Sequence, residues 1–498
     1  MGAQAADLPT RKAAPVQYVR ICDAYGAGFF YIPGTDTCLR VGGLVMADWQ
    51  VSNTPDRVNL PNGVPVLIGG AGIVPAGAFI PGKSRDAVSS LALGRIELDA
   101  RTQSPWGTVR TFMRVDSFFG SGAVSNTGGM PGVAAASLGT LPARETTMLN
   151  KAFIQFAGIT MGRIQSMFDF YADAVGYTAH VGSNQTVNAI AYTATFGGGF
   201  SATLSIEDEV SHRGPSFSTI TAFPVLGAPA VQFNGTRMPD VVANLRLDQP
   251  WGSAQLSGAI HNNNRSLWSG QLLVGGVPVT QPTWAPFTTS KLGFAIQGGL
   301  KFNLDALAPG DVLWLQATYA KGAIGYVNGS NMAMVNGVDT STNYGVGLAR
   351  ISSGNGWGGT VDFDCVWTYA GACEQSSAFA VTAALRHYWT PTVSSTLSGS
   401  YYSVQYSANA TNPFPGAIAV GAASAGVGVT NYRQTILATG IEWNPIKNFG
   451  IGAEVQWTHG VTSRPVGLAN DLALAVNGTP FKAQNDLIRG RVRMYRAF

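Results

Sequence analysis

The sequence predicts an all-β protein, a 16-stranded antiparallel transmembrane β-barrel. Three observations predict this fold. Only 12% of the 498 residues are charged although 46% are hydrophobic, about half the charge of an average soluble protein. Hydrophobic and polar residues alternate along many segments, which is the period of a half-buried strand. Short and long connections between these segments also alternate, as they do in transmembrane barrels.

The low charge excludes several classes of protein. No run of 18 or more apolar residues occurs, so no membrane-crossing helix is predicted. The net charge of +4 is small for a chain of this length, and Lys and Arg form no basic block. We therefore expect no nucleic-acid partner, and we infer that much of the surface faces lipid rather than water.

The alternation is clear in the segment LALGRIELDAR at 91–101, where Ile96 and Leu98 lie on one face and Arg95 and Glu97 on the other. Most predicted strands have about 9–14 residues, enough to cross a bilayer when tilted. The sixteen predicted strands are 38–49, 89–101, 108–118, 150–157, 159–169, 187–196, 200–208, 239–248, 253–263, 290–303, 311–321, 376–388, 394–406, 432–443, 449–459 and 486–498.

The connections fall into two classes. Those after odd-numbered strands are long, from 17 residues to over 50. Those after even-numbered strands are short and lie at 103–107, 157–158, 197–199, 249–252, 304–310, 389–393 and 444–448. This segregation predicts short periplasmic turns at one end of the barrel and long extracellular loops at the other. An even number of strands places both termini on the short-turn side.

Both ends of the chain carry signals of export. The segment AQAA at 3–6 is typical of the end of a signal-peptidase site. We expect 1–37 to be a processed N-terminal segment that leads into the barrel, and 38–498 to be a single transmembrane β-barrel domain. The last amphipathic strand ends on Phe498, which we interpret as an assembly signal of outer-membrane barrels. An edge strand that happens to end on Phe is the alternative.

The four cysteines form two local groups. Cys22 and Cys38 are 16 residues apart, and Cys365 and Cys373 are 8 apart. An even number in an exported chain indicates disulfides, with buried free thiols as the alternative. Neither spacing is that of a zinc site, and the five histidines are scattered. We therefore expect no metal ion and no cofactor.

If the apolar face contacts lipid, the alternate residues line a lumen. Sixteen strands enclose an aqueous channel rather than a packed core. In a closed barrel strand 16 pairs with strand 1, so strands 16, 1, 2 and 3 form one arginine-rich wall, and the guanidinium groups stay charged. The basic residues expected to line the pore or its constriction are Arg40, Arg95, Arg101, Arg110, Arg114, Arg163, Arg489, Arg491 and Arg493.

The connection at 170–187 is the third long-side loop, which folds into the lumen in barrels of this size. It begins near Asp169 and Asp173, which we expect at the constriction. An acidic loop opposite a basic wall would create a transverse field that orients dipolar solutes and filters ions.

Two alternative interpretations concern these charged residues. In the first interpretation, the arginines form ion pairs with Glu97, Asp99 and Asp116 and only stabilise the wall. The other is catalysis, for which the sequence shows neither a G-x-S-x-G nor a Walker motif. The glycines at 197–199 lie between two alternating segments and are predicted to form a hairpin turn. We expect no enzymatic activity.

Several segments resemble the alphaproteobacterial general-diffusion porin family. They are KAAPV (12–16), VRICDAYG (19–26), GFFYIPGTDTCLR (28–40), FGGGFSATLS (196–205), GDVLWLQATYAKGA (310–323) and the closing 489–498. The resemblance implies an outer-membrane homotrimer of sixteen-stranded barrels, surrounded by lipid and lipopolysaccharide. It also implies passive diffusion of ions and small hydrophilic solutes, without enzymatic activity or a cofactor.

The same resemblance implies a disulfide between Cys22 and Cys38. Cys365 and Cys373 lie in the sixth long-side loop, where a second disulfide would cross-link the tip of the loop. A substrate-specific outer-membrane channel is the alternative function, although no aromatic slide for sugars is evident. A barrel enzyme and a soluble secreted β-protein are further alternatives. Saturable flux of one solute would indicate the substrate-specific channel.

Overall fold

Sixteen antiparallel strands form a closed barrel in the computed structural model. The strands are β1 (Thr37–Ser52), β2 (Val88–Ser104), β3 (Gly107–Gly122), β4 (Arg144–Phe156), β5 (Ile159–Gln165), β6 (Thr186–Gly197), β7 (Phe200–Glu207), β8 (Asp240–Gln249), β9 (Gly252–Trp268), β10 (Phe287–Asn303), β11 (Val312–Lys321), β12 (Ser377–Thr390), β13 (Val393–Gln405), β14 (Tyr432–Trp443), β15 (Phe449–Thr462) and β16 (Gln484–Ala497).

The structure describes residues 20–53, 57–59, 66–67, 73–74, 78–80, 87–122, 144–213, 217–218, 230–233, 236–268, 272–274, 277–279, 287–328, 334–335, 338–339, 362–368, 373–411, 431–462 and 484–498. The expected processing site at 3–6 and the KAAPV segment lie outside these residues.

The barrel closes because β1 pairs with β2 on one side and with β16 on the other. The register between β1 and β16 runs from Leu44 opposite Ala497 to Ser52 opposite Arg489. Phe498 extends this ladder: its N–H donates to the carbonyl of Gly43, and its carbonyl accepts from the N–H of Gly43, each at 3.1 Å. Closure pairs each of the sixteen described barrel strands on both sides, as a bilayer requires.

The predicted strand count and the alternation of short and long connections are confirmed. Turns of two residues, such as 157–158 and 391–392, join strands at one end. The fifth strand differs from its prediction, because it ends at Gln165 rather than at residue 169. Beyond that point Ser166 and Met167 bond to the carboxylate of Glu207 inside the barrel, so the chain leaves the wall early.

The two faces of the barrel wall have opposite polarity. Large apolar side chains such as Ile96, Leu245 and Leu397 are about 60% exposed on the outside, at 58%, 60% and 60%. Polar side chains such as Gln255 and Gln297 are buried inside, at 7% and 1%. A water-soluble protein has the reverse arrangement, so the outer face suits hydrocarbon.

Short elements accompany the barrel. Helix α1 spans Gly325–Asn328 and α2 spans Ala408–Thr411, with 3-10 turns at Asp23–Tyr25 and Glu209–His212. None of the helices in the described segments is long and apolar enough to cross a membrane. The short strands are Phe30–Tyr31, Arg57–Asn59, Val66–Leu67, Ile73–Val74, Ala78–Ile80, Phe217–Ser218, Ala230–Phe233, Leu272–Val274, Val277–Val279, Met334–Val335, Val338–Asp339, Cys365–Trp367 and Cys373–Gln375.

Both expected disulfides are formed. Cys22 bonds to Cys38, with 6.0 Å between their Cα atoms, and Cys365 bonds to Cys373, with 5.5 Å. The first bridge ties the segment before β1 onto the wall, where Phe29 packs beside both sulfurs. The second lies in the long connection between β11 and β12.

The largest buried apolar cluster lies inside the barrel. Phe168 and Val181, from the connection after β5, pack there with Ile324 and Tyr326, from the connection after β11. Their partners are alanine, aliphatic and tyrosine side chains on the inner face of β8 to β14. Inward-folded loops therefore cover this side of the lumen.

Candidate pore constriction

The connection between β5 and β6, Ser166–Gln185, folds into the barrel, and we name it the constriction loop. Its first residues bind the wall at β7, where Ser166 Oγ and Met167 N–H donate to Glu207 at 2.7 and 2.9 Å. The next carbonyl, that of Phe168, accepts a bond from Gln297 Nε2 of β10 at 2.8 Å. Polar wall side chains thus satisfy backbone groups that an inward loop would otherwise leave unpaired.

The middle of the constriction loop binds β11 and β13. The N–H of Tyr171 donates to Gln316 Oε1 at 3.0 Å. The imidazole of His180 lies between two hydroxyls, with Nε2 at 2.8 Å from Ser398 Oγ and Nδ1 at 3.1 Å from Ser400 Oγ. Burial lowers the pKa of His180 to about 4, because the cation would lose its hydration. The ring is therefore neutral at physiological pH.

Tyr177 anchors the loop to β14, β15 and β16. Its hydroxyl donates to Glu442 Oε2 at 2.6 Å, and its N–H donates to Glu454 Oε2 at 2.7 Å. Its carbonyl accepts a bond from Arg491, and the guanidinium of Arg493 lies 4.6 Å from its ring centre. All of these anchors lie on β7 to β16, so the loop stands on the side of the barrel away from β2 to β4.

The inner faces of β1 to β3 carry a cluster of arginines around Asp99, which is 1% exposed. Asp99 lies 2.8 Å from Arg101, 3.0 Å from Arg110 and 3.9 Å from Arg40. Arg101 also lies over the ring of Phe29, at 4.9 Å. Three cations around one carboxylate leave a positive excess at this point of the wall.

A second group lies further from the short turns. Arg95 donates to Asp116 at 2.7 Å, and Arg114 pairs with Glu97 at 2.6 Å. Lys151 of β4 stands opposite Arg114 in the register. Glu97, Asp99 and Asp116 are therefore all in ion pairs, as one interpretation of the sequence anticipated. The arginines remain partly exposed, from 16% for Arg95 to 44% for Arg40.

The two aspartates of the constriction loop hold the loop itself. Asp169 accepts from the N–H of Gln185 at 2.8 Å. Burial raises the pKa of Asp169 to about 6. Hydrogen bonds and the positive charge of Lys151 lower the pKa, but their effect is smaller than that of burial. Asp173 has a φ of +55° and accepts from the N–H of His180 at 2.8 Å. Both carboxylates therefore accept hydrogen bonds from the backbone of the loop.

The expected position of Arg163 in the lumen is wrong. Arg163 pairs with Asn188, and its strand neighbours Met161 and Ile159 are 57% and 48% exposed on the outside. The residues that face inward on β5 are the alternate ones, including Ile164, which is 4% exposed. A shift of one residue moves a side chain to the other face, and Arg163 consequently lies on the outer surface.

The three arginines of β16 lie on the inner face. Arg493 bonds to Asp48 of β1, at 2.7 Å from Nε and 2.6 Å from Nη2. Arg491 is 3% exposed and reaches the constriction loop. Arg489 is half-buried and stands between Ser52 and Gln456 in the register.

Four polar residues of the candidate constriction were not predicted from the sequence: Lys151, Tyr177, Glu442 and Glu454. A bulge in the β3–β4 ladder beside Arg114 sets the face of Lys151, and local periodicity does not reveal such an irregularity. Tyr177 meets Glu442 and Glu454 over sequence separations of 265 and 277 residues. No local signal could have brought them together.

Comparison with known proteins decides the family. A family model described as a porin subfamily matches residues 7–478. This chain belongs to that porin subfamily. The resemblance to alphaproteobacterial porins that the sequence showed is thereby confirmed.

Individual relatives agree with this assignment. The porin Omp2b of Brucella suis is 32% identical over 263 residues, which cover 51% of this chain and 60% of the relative. Porin Omp2b of Brucella abortus (strain 2308) is 30% identical over 260 residues, covering 51% and 59%. The alignments thus span about 60% of the length of these curated porins. The outer-membrane channel DcaP of Acinetobacter baumannii shares the fold, with a TM-score of 0.53 and 15% identity over 94% of this chain and 99% of that one.

Proposed function

We propose that this porin forms a water-filled channel in the outer membrane through which ions and small hydrophilic solutes diffuse passively. We further propose that the narrowest part lies between the constriction loop and the basic wall of β1 to β4. One observation carries the proposal. The loop is bound to β7–β16, whereas the opposite wall presents a row of partly exposed cations.

Charge balance supports a selective role for this wall. Among the described inward residues of β1 to β4, six are cationic: Arg40, Arg95, Arg101, Arg110, Arg114 and Lys151. They share three carboxylates, Glu97, Asp99 and Asp116, because Asp48 of β1 pairs with Arg493 of β16. The unbalanced positive charge faces a confined aqueous path, where fields are less screened than in bulk water. Such a wall favours small anions over cations of equal size.

The remaining expectations for this porin belong to the same proposal. We infer a homotrimer in the outer membrane, surrounded by lipid and lipopolysaccharide. We infer that the exported chain is processed within residues 1–37 and that 38–498 forms one barrel domain. The segment 20–36 folds onto the barrel through the Cys22–Cys38 bridge, which supports cleavage before residue 20.

Planar-bilayer recording tests the role of the basic wall. In the double variant Arg110→Ala and Arg114→Ala, two cations leave the wall while Asp99 keeps Arg101. In a salt gradient the reversal potential should shift in the direction of cation selectivity. The shift should correspond to an increase of roughly twofold or more in the cation-to-anion permeability ratio. Arg163→Ala is the matched control, because it removes an arginine from the outer face of the same barrel.

An unchanged reversal potential in the double variant, with normal insertion and conductance, would contradict the proposed constriction wall. Equal shifts in the double variant and in Arg163→Ala would contradict it too, since a general charge effect would then explain both. Current that saturates with one solute would instead indicate a substrate-specific channel.

A further inference from the structure

The outer face of the barrel between β8 and β14 contains a concave apolar surface, a cavity of 1130 Å³. It exists because four outward positions on adjacent strands carry small residues, Gly298, Ala317, Ala383 and Gly399. Leucines surround them: Leu245, Leu256, Leu300, Leu397 and Leu437. These leucines are between 39% and 60% exposed. We name this region the outer-face cavity.

Aromatic rings border the outer-face cavity on the side of the long loops. Phe294 of β10 and Tyr319 of β11 have their ring centres 6.1 Å apart, and Phe379 of β12 and Tyr401 of β13 have theirs 5.6 Å apart. Phe294, Tyr319 and Phe379 are between 39% and 46% exposed, and Tyr401 also lines the cavity. Exposed aromatic rings at the end of a transmembrane strand are typical of the membrane–water interface.

Two cations lie at the same end of the cavity on the outer face. Lys321 is the last residue of β11, and Arg433 is the second residue of β14. Both are exposed, and within the described residues neither takes part in a salt bridge. Arg433 is two residues from Thr435, which lines the cavity. Three strand spacings separate β11 from β14, about 14 Å between strand axes.

Along the barrel axis, these two cations lie at the level expected for the surface of the bilayer. Trp443, the last residue of β14, is 50% exposed at the opposite, short-turn end. Ten residue steps of a tilted strand between Arg433 and Trp443 span about 25 Å, the height of the apolar band of such barrels. Lipid phosphates lie just outside that band, at the level of Arg433 and Lys321.

We propose that the outer-face cavity binds a phosphorylated lipid of the outer leaflet. An acyl chain fills the cavity, the aromatic rings contact the region where the chain meets the headgroup, and Lys321 and Arg433 bind phosphate. Charge complementarity selects this occupant, because two exposed cations directly above an apolar cavity match an amphiphile with anionic groups. The inference rests on the proposed outer-membrane location and adds a specific site to it.

Native mass spectrometry of the detergent-solubilised porin tests this site with defined probes. The probes are bisphosphorylated lipid A and, as a neutral lipid, phosphatidylcholine. The double variant Lys321→Gln and Arg433→Gln should retain lipid A less well, by about fivefold for each cation removed. Phosphatidylcholine retention should not change. Lys447→Gln is the matched control, because it removes an exposed cation from a short turn at the other end of the barrel.

A second variant tests the cavity itself. Gly298→Leu would extend a side chain into it, and a Cβ at Gly298 meets no atom within 4 Å. We expect this variant to retain fewer copies of both lipids while folding normally. Equal lipid A retention by the parent protein and both variants would overturn the proposal. A loss of trimers in either variant would overturn it as well, because a second copy of this chain would then occupy the face.

Conductance separates this proposal from the proposed function. Lys321→Gln, Arg433→Gln and Gly298→Leu alter the outer face, so the single-channel conductance of these variants should equal that of the parent protein. Normal conductance with unchanged lipid binding would contradict the lipid site alone. Absence of any conductance in the parent protein would contradict the channel, whatever the lipid result.

Discussion

Arg493 of β16 and Asp48 of β1 form a bidentate ion pair across the seam where the two ends of the chain meet. Nε lies 2.7 Å from Oδ1 and Nη2 lies 2.6 Å from Oδ2. Asp48 is fully buried, and the two residues stand opposite each other in the register. The pair joins residues 445 positions apart, so it stabilises closure of the barrel directly.

Asp48→Asn should destabilise the closed barrel. The substitution removes the buried carboxylate that neutralises Arg493, and removing one partner of a buried pair costs about 3–5 kcal/mol. Denaturant unfolding in detergent, followed by the heat-modifiable migration of the barrel on gels, measures the change.

Arg246 and Asp248 offer a matched control. They form an ion pair at 2.9 Å but are 37% and 53% exposed, so Arg246→Gln should cost at most about 1 kcal/mol. Equal stability of the Asp48→Asn variant and the parent protein would show that closure does not depend on the seam pair.

His180 should make docking of the constriction loop sensitive to acid. The docked imidazole has a pKa of about 4, below the usual 6.5. Docking is therefore fully stable above pH 6.5 and weakens as the pH falls toward 4, by at most about 3 kcal/mol. The groups near the ring are Tyr171, with ring centres 6.3 Å apart, and Asp173, which accepts from the His180 N–H.

Single-channel recording between pH 7 and pH 4 measures this effect. We expect current fluctuations to increase in the parent protein as the pH falls through that range. His180→Gln cannot titrate, so its fluctuations should change less over the same range. If both proteins respond alike, another group controls the loop and the assignment to His180 is wrong.

Asp240 should hold the long connection after β11 against the wall. It accepts from His261 Nδ1 at 2.8 Å and from the hydroxyl of Tyr326 in α1 at 2.7 Å, and all three residues are fully buried. Asp240→Asn leaves at least one of these buried donors without an acceptor, which costs about 1–3 kcal/mol of stability. Limited proteolysis should then cut within 322–376 roughly tenfold faster.

Asp248→Asn, on the same strand, provides the control for this change. Asp248 is 53% exposed and pairs with Arg246 near the short turns, so proteolysis of the long connection should keep its original rate. Unaltered cleavage in Asp240→Asn would show that other contacts hold the connection in place.

Much of the barrel could be predicted because its signals are local. Alternation along β2 and β3 depends only on neighbouring residues, and each short turn lies between two such segments. The ends of strands were less predictable. The fifth strand was expected to reach residue 169 but ends at Gln165, because Glu207 binds the residues that follow.

The charged residues show where sequence periodicity stops being informative. Arg95, Arg110 and Arg114 lie on the predicted face because β2 and β3 keep a continuous alternation. Arg163 lies on the opposite face, since the register with β6 assigns its side chain to the outside. Lys151 was not predicted, because a bulge in the β3–β4 ladder sets its face.

The sequence alone determined the strand number, the polarity of the two faces and the separation of turns from loops, because a period of two residues and a turn are properties of neighbours. The tertiary structure decided which carboxylate holds each arginine, which wall receives the constriction loop and where the outer face becomes concave. These features depend on pairs such as Asp48 and Arg493, which are distant in the chain and meet only when the barrel closes. Closure also fixes the register, and the register determines the face on which each charge lies.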